Sequence, residues 1–116
     1  MSPQSAADRL RRLEDLGVIT GFTVKLDPAA LGLSVGAYIR IRPAMGELPR
    51  VAALLADIPE IVECDRVTGE DCFVAKVFVA EVAALEGVID RLLPYARTNT
   101  SIIQSSPVAR RNPKYR

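Results

Sequence analysis

The residue types that are missing narrow the chemistry of this sequence first. Histidine is absent, and Cys64 and Cys72 are the only cysteines. No Cys–His or Ser–His nucleophile pair can be assembled, and the usual zinc spacings are lacking. No metal site and no cofactor are expected, and without an evident carboxylate dyad the residues argue against an enzyme. If a hairpin closes at Thr68, Gly69, Glu70 and Asp71, Cys64 falls opposite about Ala75 and not opposite Cys72. A disulfide is then not expected, and both cysteines read as buried small apolar residues.

A second chemical cluster lies at the N-terminus. Ser2 is a good helix N-cap, and Pro3 suits the first helical position because its missing N–H costs nothing there. Ala6, Leu10 and Leu13 recur at i, i+4 and i+7, and Leu16 extends the stripe up to a stop at Gly17. Gln4, Ser5, Asp8, Arg9 and Arg12 cover the other side. Short polar side chains near a helix N-terminus can meet base edges in a major groove, while arginines contact phosphate or guanine. On pattern alone a solvated amphipathic helix looks the same. Asp8 would repel phosphate on that face, unless it pairs within the helix with Arg11 or Arg12. The formal net charge is only +1, so any hold on DNA must come from a local patch.

The elements that must position these groups follow from periodicity. Residues 18–26 alternate enough to run extended, with a bend at Gly21, and Asp27 caps a short turn that Gly32 ends. Residues 33–42 form a strand. Leu33, Val35, Ala37, Ile39 and Ile41 share one face, and Tyr38, Arg40 and Arg42 share the other, which suits a subunit interface or solvent. Leu48, Val51, Leu55 and Ile58 then repeat at helical spacing. Residues 61–67 carry Glu63, Asp65 and Arg66, as an exposed edge strand would. Residues 72–79 are apolar on both faces apart from Lys76, the pattern of a central strand covered on both sides. Val82, Leu85, Val88, Ile89 and Leu92 give a second helix, and residues 98–106 a last strand. The tail from Pro107 is basic, contains Pro113 and reads as loosely ordered.

The order strand, helix, strand, strand, helix, strand predicts an α+β fold, a ferredoxin-like βαββαβ sandwich. Both helices fall on one side of the sheet. The other side needs a cover, and a second copy of the chain is the economical one. At 116 residues and 49 % hydrophobic content the chain supports one ordinary core. No apolar run reaches the roughly 18 to 20 residues that span a bilayer, and residues 1–12 lack a secretory signal's apolar stretch. No membrane partner and a cytoplasmic location are expected.

The stretch SPQSAADRLRRLEDLGVITGFTVKLDPAALGL, followed by RVTGEDCFVAKVFV, resembles Lrp/AsnC (leucine-responsive, feast/famine) transcription regulators across essentially the whole chain. The resemblance implies the end of a winged helix-turn-helix over residues 1–27, recognition helix and wing strand, with a linker over 28–32. It implies a ligand-binding and oligomerisation domain of the RAM type, a dimeric α+β barrel, over 33–106, and a basic tail over 107–116. It points to DNA contacts by Ser2, Gln4, Ser5, Arg9 and Arg12. It also points to a small-molecule effector, often an amino acid, held between dimers by Thr68, Gly69, Glu70 and Asp71, with Thr98 and Thr100 from the last strand. The chemistry is reasonable: a glycine turn frees backbone N–H groups for a carboxylate, and a nearby carboxylate can hold an ammonium group. A bare hairpin turn is the plainer account. The implied partners are duplex DNA and a second copy, with homodimers associating up to an octamer, a tetramer of dimers.

In that family two further helices precede the recognition helix, whereas this sequence opens at that helix, with Met1 where a hydrophobic residue often sits. We read the sequence as truncated, or begun at too late a start codon. The stripe of Ala6, Leu10 and Leu13 then has nothing to pack on, so residues 1–16 should be mobile or packed non-natively, and specific DNA binding poor. Two other classes compete. One is a stand-alone amino-acid-sensing module, which would not need residues 2–19. The other is a cofactor-free enzyme on a dimeric α+β barrel, which the lack of histidine disfavours.

Overall fold

The computed structural model describes residues 2–114, so the readings placed on Met1, Tyr115 and Arg116 lie outside the described residues. The first helix, α1 (Pro3–Asp15), begins as expected: the Ser2 side chain accepts a hydrogen bond from the Ser5 N–H at 3.2 Å. It ends where Gly17 takes φ +77°, and the N–H groups of Val18 and Ile19 both reach the Leu13 carbonyl. No residue of α1 is buried; Leu10, Leu13 and Leu16 are 45, 38 and 68 % exposed. The expected stripe is formed, and among the described residues none of it is buried.

Residues 18–26 form no strand, contrary to the wing reading. A strand exists only as one side of a ladder, and among the described residues no strand is hydrogen-bonded to this segment. The chain then turns through a 3-10 turn at Ala29–Leu31, where Asp27 Oδ1 accepts from the Ala29 N–H, and leaves it at Gly32.

The remainder alternates as expected: β1 (Val35–Pro43), α2 (Leu48–Ala56), β2 (Ile61–Arg66), β3 (Phe73–Val79), α3 (Val82–Leu92) and β4 (Ala96–Ile102). The sheet is antiparallel in the order β2-β3-β1-β4, so β3 is interior and β2 an edge. The last strand was expected at 98–106 but starts and stops earlier. Ala96 already pairs with Pro43, and beyond Ile103, whose N–H reaches the Gly36 carbonyl, β1 has only Val35 left.

Alternation drives Ala37, Ile39 and Ile41 of β1 and Phe73, Ala75, Val77 and Val79 of β3 into one face. Val51, Leu55 and Ile58 from the first covering helix and its exit, and Leu85, Val88 and Leu92 from the second, close over them. Each such aliphatic side chain contributes roughly 1.5–3 kcal/mol by leaving water. The other face of β3 is only half-buried at Val74, Lys76 and Phe78, so within one chain β3 is not covered on both sides.

Cys64 does lie opposite Ala75, and both cysteines are free. Neither is buried as expected: Cys64 is exposed and Cys72 half-buried. The edge strand runs past the cover of α2, leaving an open groove of about 450 Å³ beside Ala52, Ile61 and Cys64.

Candidate functional site

The 68–71 turn is a hairpin tip held at its base by two backbone bonds. The Val67 N–H donates to the Cys72 carbonyl at 2.8 Å, and the Cys72 N–H donates to Ile41 of β1 at 3.0 Å. Gly69 supplies φ +109°, which other residues rarely adopt. Thr68, Gly69 and Glu70 are exposed and Asp71 is half-buried. The strict alternation of β1 sends Arg42 to the side away from the helices, where its Nη1 lies 3.8 Å from Glu70 Oε2. Both groups are well exposed, so the pair is worth at most about 1 kcal/mol. Its value is positional: it sets a cation beside the Glu70 carboxylate at a glycine turn.

Arg97 of β4 is the direct cross-strand partner of Arg42. The two arginines border a cleft of about 440 Å³ that also takes in Met45, Leu93 and Tyr95. One end of the sheet thus offers guanidinium and backbone N–H donors for a carboxylate, carboxylates for an ammonium group, and an apolar wall. Arg42 and Arg97 were not singled out for this site by sequence. The signal was available, since the face alternation of β1 and the closure at 68–71 together set Arg42 beside the turn. Arg97 could not be placed without the register of β4.

Thr98 and Thr100 are not brought to the hairpin within one chain. They pair with Ile41 and Ile39, sit half-buried on the helix-facing side, and β1 separates them from β3. Among the described residues no group of three or more acidic or cysteine side chains could hold a metal ion.

At the other end of the chain, Gln4, Ser5, Asp8, Arg9 and Arg12 fall within an arc of about 140° on α1, opposite the leucine stripe. All are exposed. Ser2 and Ser5 are partly engaged, since the two hydroxyls are 3.0 Å apart and Ser2 caps the helix. Arg9 and Arg12 are in no ion pair among the described residues.

The face of the sheet away from the helices carries Tyr38, 40 % exposed, and half-buried Phe78. Lys76 Nζ lies over both rings, at 5.6 and 5.5 Å. No helix of the described residues is long and apolar enough to cross a membrane.

Comparison with known proteins adds a common theme. The family described as the Lrp/AsnC ligand binding domain matches residues 36–113. The HTH-type transcriptional regulator LrpC of Bacillus subtilis is 31 % identical over 105 residues, covering 90 % of this chain and 73 % of LrpC. The HTH-type transcriptional regulator LrpA of Mycobacterium tuberculosis is 36 % identical over 106 residues, covering 89 % of this chain and 71 % of LrpA. The solved structure of B. subtilis LrpC superposes with a TM-score of 0.85 at 30 % identity, over 95 % of this chain and 79 % of that one. A feast or famine regulatory protein from M. tuberculosis, complexed with L-methionine, superposes at 0.83 with 32 % identity, over 97 and 78 % of the two chains.

Proposed function

The chain belongs to the Lrp/AsnC family of transcription regulators, and from that premise we propose that it senses an amino acid at the 68–71 hairpin on behalf of DNA binding. The observation that carries this reading is the hairpin itself, with Gly69 at φ +109°, Glu70 beside Arg42, and Asp71 next to Glu70 in the turn. That set offers complementary groups to both ends of a zwitterion. Backbone N–H groups freed by the turn, with Arg42, take the carboxylate; Glu70 or Asp71 takes the ammonium group; Thr68 adds a hydroxyl. The methionine complex of the M. tuberculosis relative supports the same ligand class here. Thr98 and Thr100 take part only through a neighbouring copy.

In this reading the open sheet face meets its counterpart in a homodimer, dimers associate further towards an octamer, and Ser2, Gln4, Ser5, Arg9 and Arg12 face duplex DNA. The protein is a cytoplasmic regulator and not an enzyme. Residues 1–27 belong to the DNA-reading module, 28–32 to a linker, 33–106 to the sensing domain and 107–116 to a basic tail.

Calorimetry against a panel of amino acids tests the sensing site. One or more should bind, and Asp71→Ala should weaken that ligand at least tenfold. Unchanged affinity for a ligand that does bind would remove Asp71 from the site, and silence across the whole panel would sink the amino-acid reading.

A further inference from the structure

The charge of this chain is segregated in a way its net value hides. Setting aside Lys25, Arg110, Arg111, Lys114 and Arg116 leaves ten lysines and arginines against fourteen carboxylates. The helix α1 is itself neutral, with Arg9, Arg11 and Arg12 offset by Asp8, Glu14 and Asp15. A polyanion approaching this protein is therefore repelled by the folded domain and indifferent to the helix as a whole. Cations without offsetting carboxylates are concentrated in residues 18–25 and 107–114, which contain four cations and no carboxylate.

The structure places these two segments side by side. Residues 18–21 face 112–114 across a cleft of about 530 Å³, and Thr23 and Lys25 face Arg110 and Arg111 across one of about 460 Å³. The tail therefore runs antiparallel to the segment that leaves α1. All four cations are exposed, and none is in an ion pair among the described residues. The cleft is also tied to α1, because the Val18 and Ile19 N–H groups both bond to Leu13.

We propose that the cleft between residues 18–25 and the 107–114 tail is a phosphate-contacting surface for the backbone of duplex DNA. It is separate from the base-facing side of α1, and it rests on the DNA-binding part of the function proposed above. Lys25 on one wall and Arg110, Arg111 and Lys114 on the other bind two runs of phosphate, and Thr23 and Asn112 supply neutral donors between them. Such contacts position the protein without reading sequence.

The test is anisotropy with the full chain on two unrelated duplexes, from 50 to 300 mM salt. Each lost phosphate contact flattens the slope of log affinity against log salt by about 0.9. Simultaneous Arg110→Ala, Arg111→Ala and Lys114→Ala substitution should therefore flatten it by about 2 to 3, with equal loss on both duplexes. Lys25→Ala, on the opposite wall, should flatten it by about 1. Unchanged slopes in both variants overturn the proposal, as does a parent chain with no salt-dependent duplex binding. Tighter binding to phosphatidylserine vesicles than to duplex overturns the choice of partner. Failure of the α1 reading looks different: Arg9→Ala with Arg12→Ala would change no sequence preference while the tail dependence persists. Failure of amino-acid sensing is scored by calorimetry alone.

Discussion

Arg42 and Arg97 stand directly opposite each other across β1 and β4, with Glu70 3.8 Å from Arg42. Like charges facing across a strand pair cost stability, typically a few tenths of a kcal/mol when exposed. A bound carboxylate would relieve that repulsion. Arg97→Gln should therefore raise the thermal midpoint of the ligand-free protein by about 1–3 °C, as a few tenths of a kcal/mol does in a domain of this size. The same change should reduce the midpoint gain produced by a saturating amino acid. A lower midpoint without ligand, or an unchanged ligand response, counts against an anion-binding role for this pair.

Gly36 faces Phe78 across the β1–β3 ladder, and a methyl group there would lie 2.9 Å from the Phe78 ring and 3.3 Å from the Ile103 side chain. The ring must move for any side chain to fit. Gly36→Ala should cost about 1–2 kcal/mol in denaturant unfolding, in the range of modest overpacking. Adding Phe78→Leu should recover part of it. Additive losses in the double variant would show that the ring is not what excludes the methyl group.

Cys64 is exposed, yet its thiol is pushed above its ordinary value, first by partial desolvation and second by the neighbouring Asp65 carboxylate. The thiolate is the nucleophile, so alkylation near pH 8 should be slower than for a free cysteine. Asp65→Asn should speed it. A raised value in the folded state means its stabilisation is present below the unfolded thiol value of about 9 and fades as pH climbs through the folded value. Cys64→Ala should flatten the alkaline limb of the stability profile. An alkylation rate insensitive to Asp65→Asn would remove the charge effect.

Sequence periodicity was sufficient for the elements and their order because β1 alternates strictly and both covering helices repeat at i, i+3 and i+4. It also placed Cys64 opposite Ala75 from the turn position alone. It misjudged burial there, because whether an edge residue is covered depends on how far α2 extends over it. Residues 18–26 had a strand's pattern but, among the described residues, no strand to pair with. Thr98 and Thr100 were linked to the hairpin by family likeness, whereas the β4 register turns them to the helix side in this chain. The antiparallel meeting of the tail with residues 18–25 joins opposite ends of the chain, and no local pattern reports it.

The sheet face away from the helices is the one proposed above to meet a second copy. It carries the Tyr38 and Phe78 rings under Lys76, with Val74 half-buried beside them. A stable dimer must remove roughly 1,200–2,000 Å² from water, and the aromatic rings at the middle of this face, with the Lys76 ammonium held against them, are residues that interfaces favour. A carboxylate at position 78 would have to be desolvated without a partner at the centre of such an interface. Light scattering should therefore give a dimer or higher species for the parent chain and a monomer for Phe78→Glu, with the far-ultraviolet circular dichroism of the two alike. A parent chain that stays monomeric at tens of micromolar would remove the homodimer, and the interface-dependent effector site would go with it.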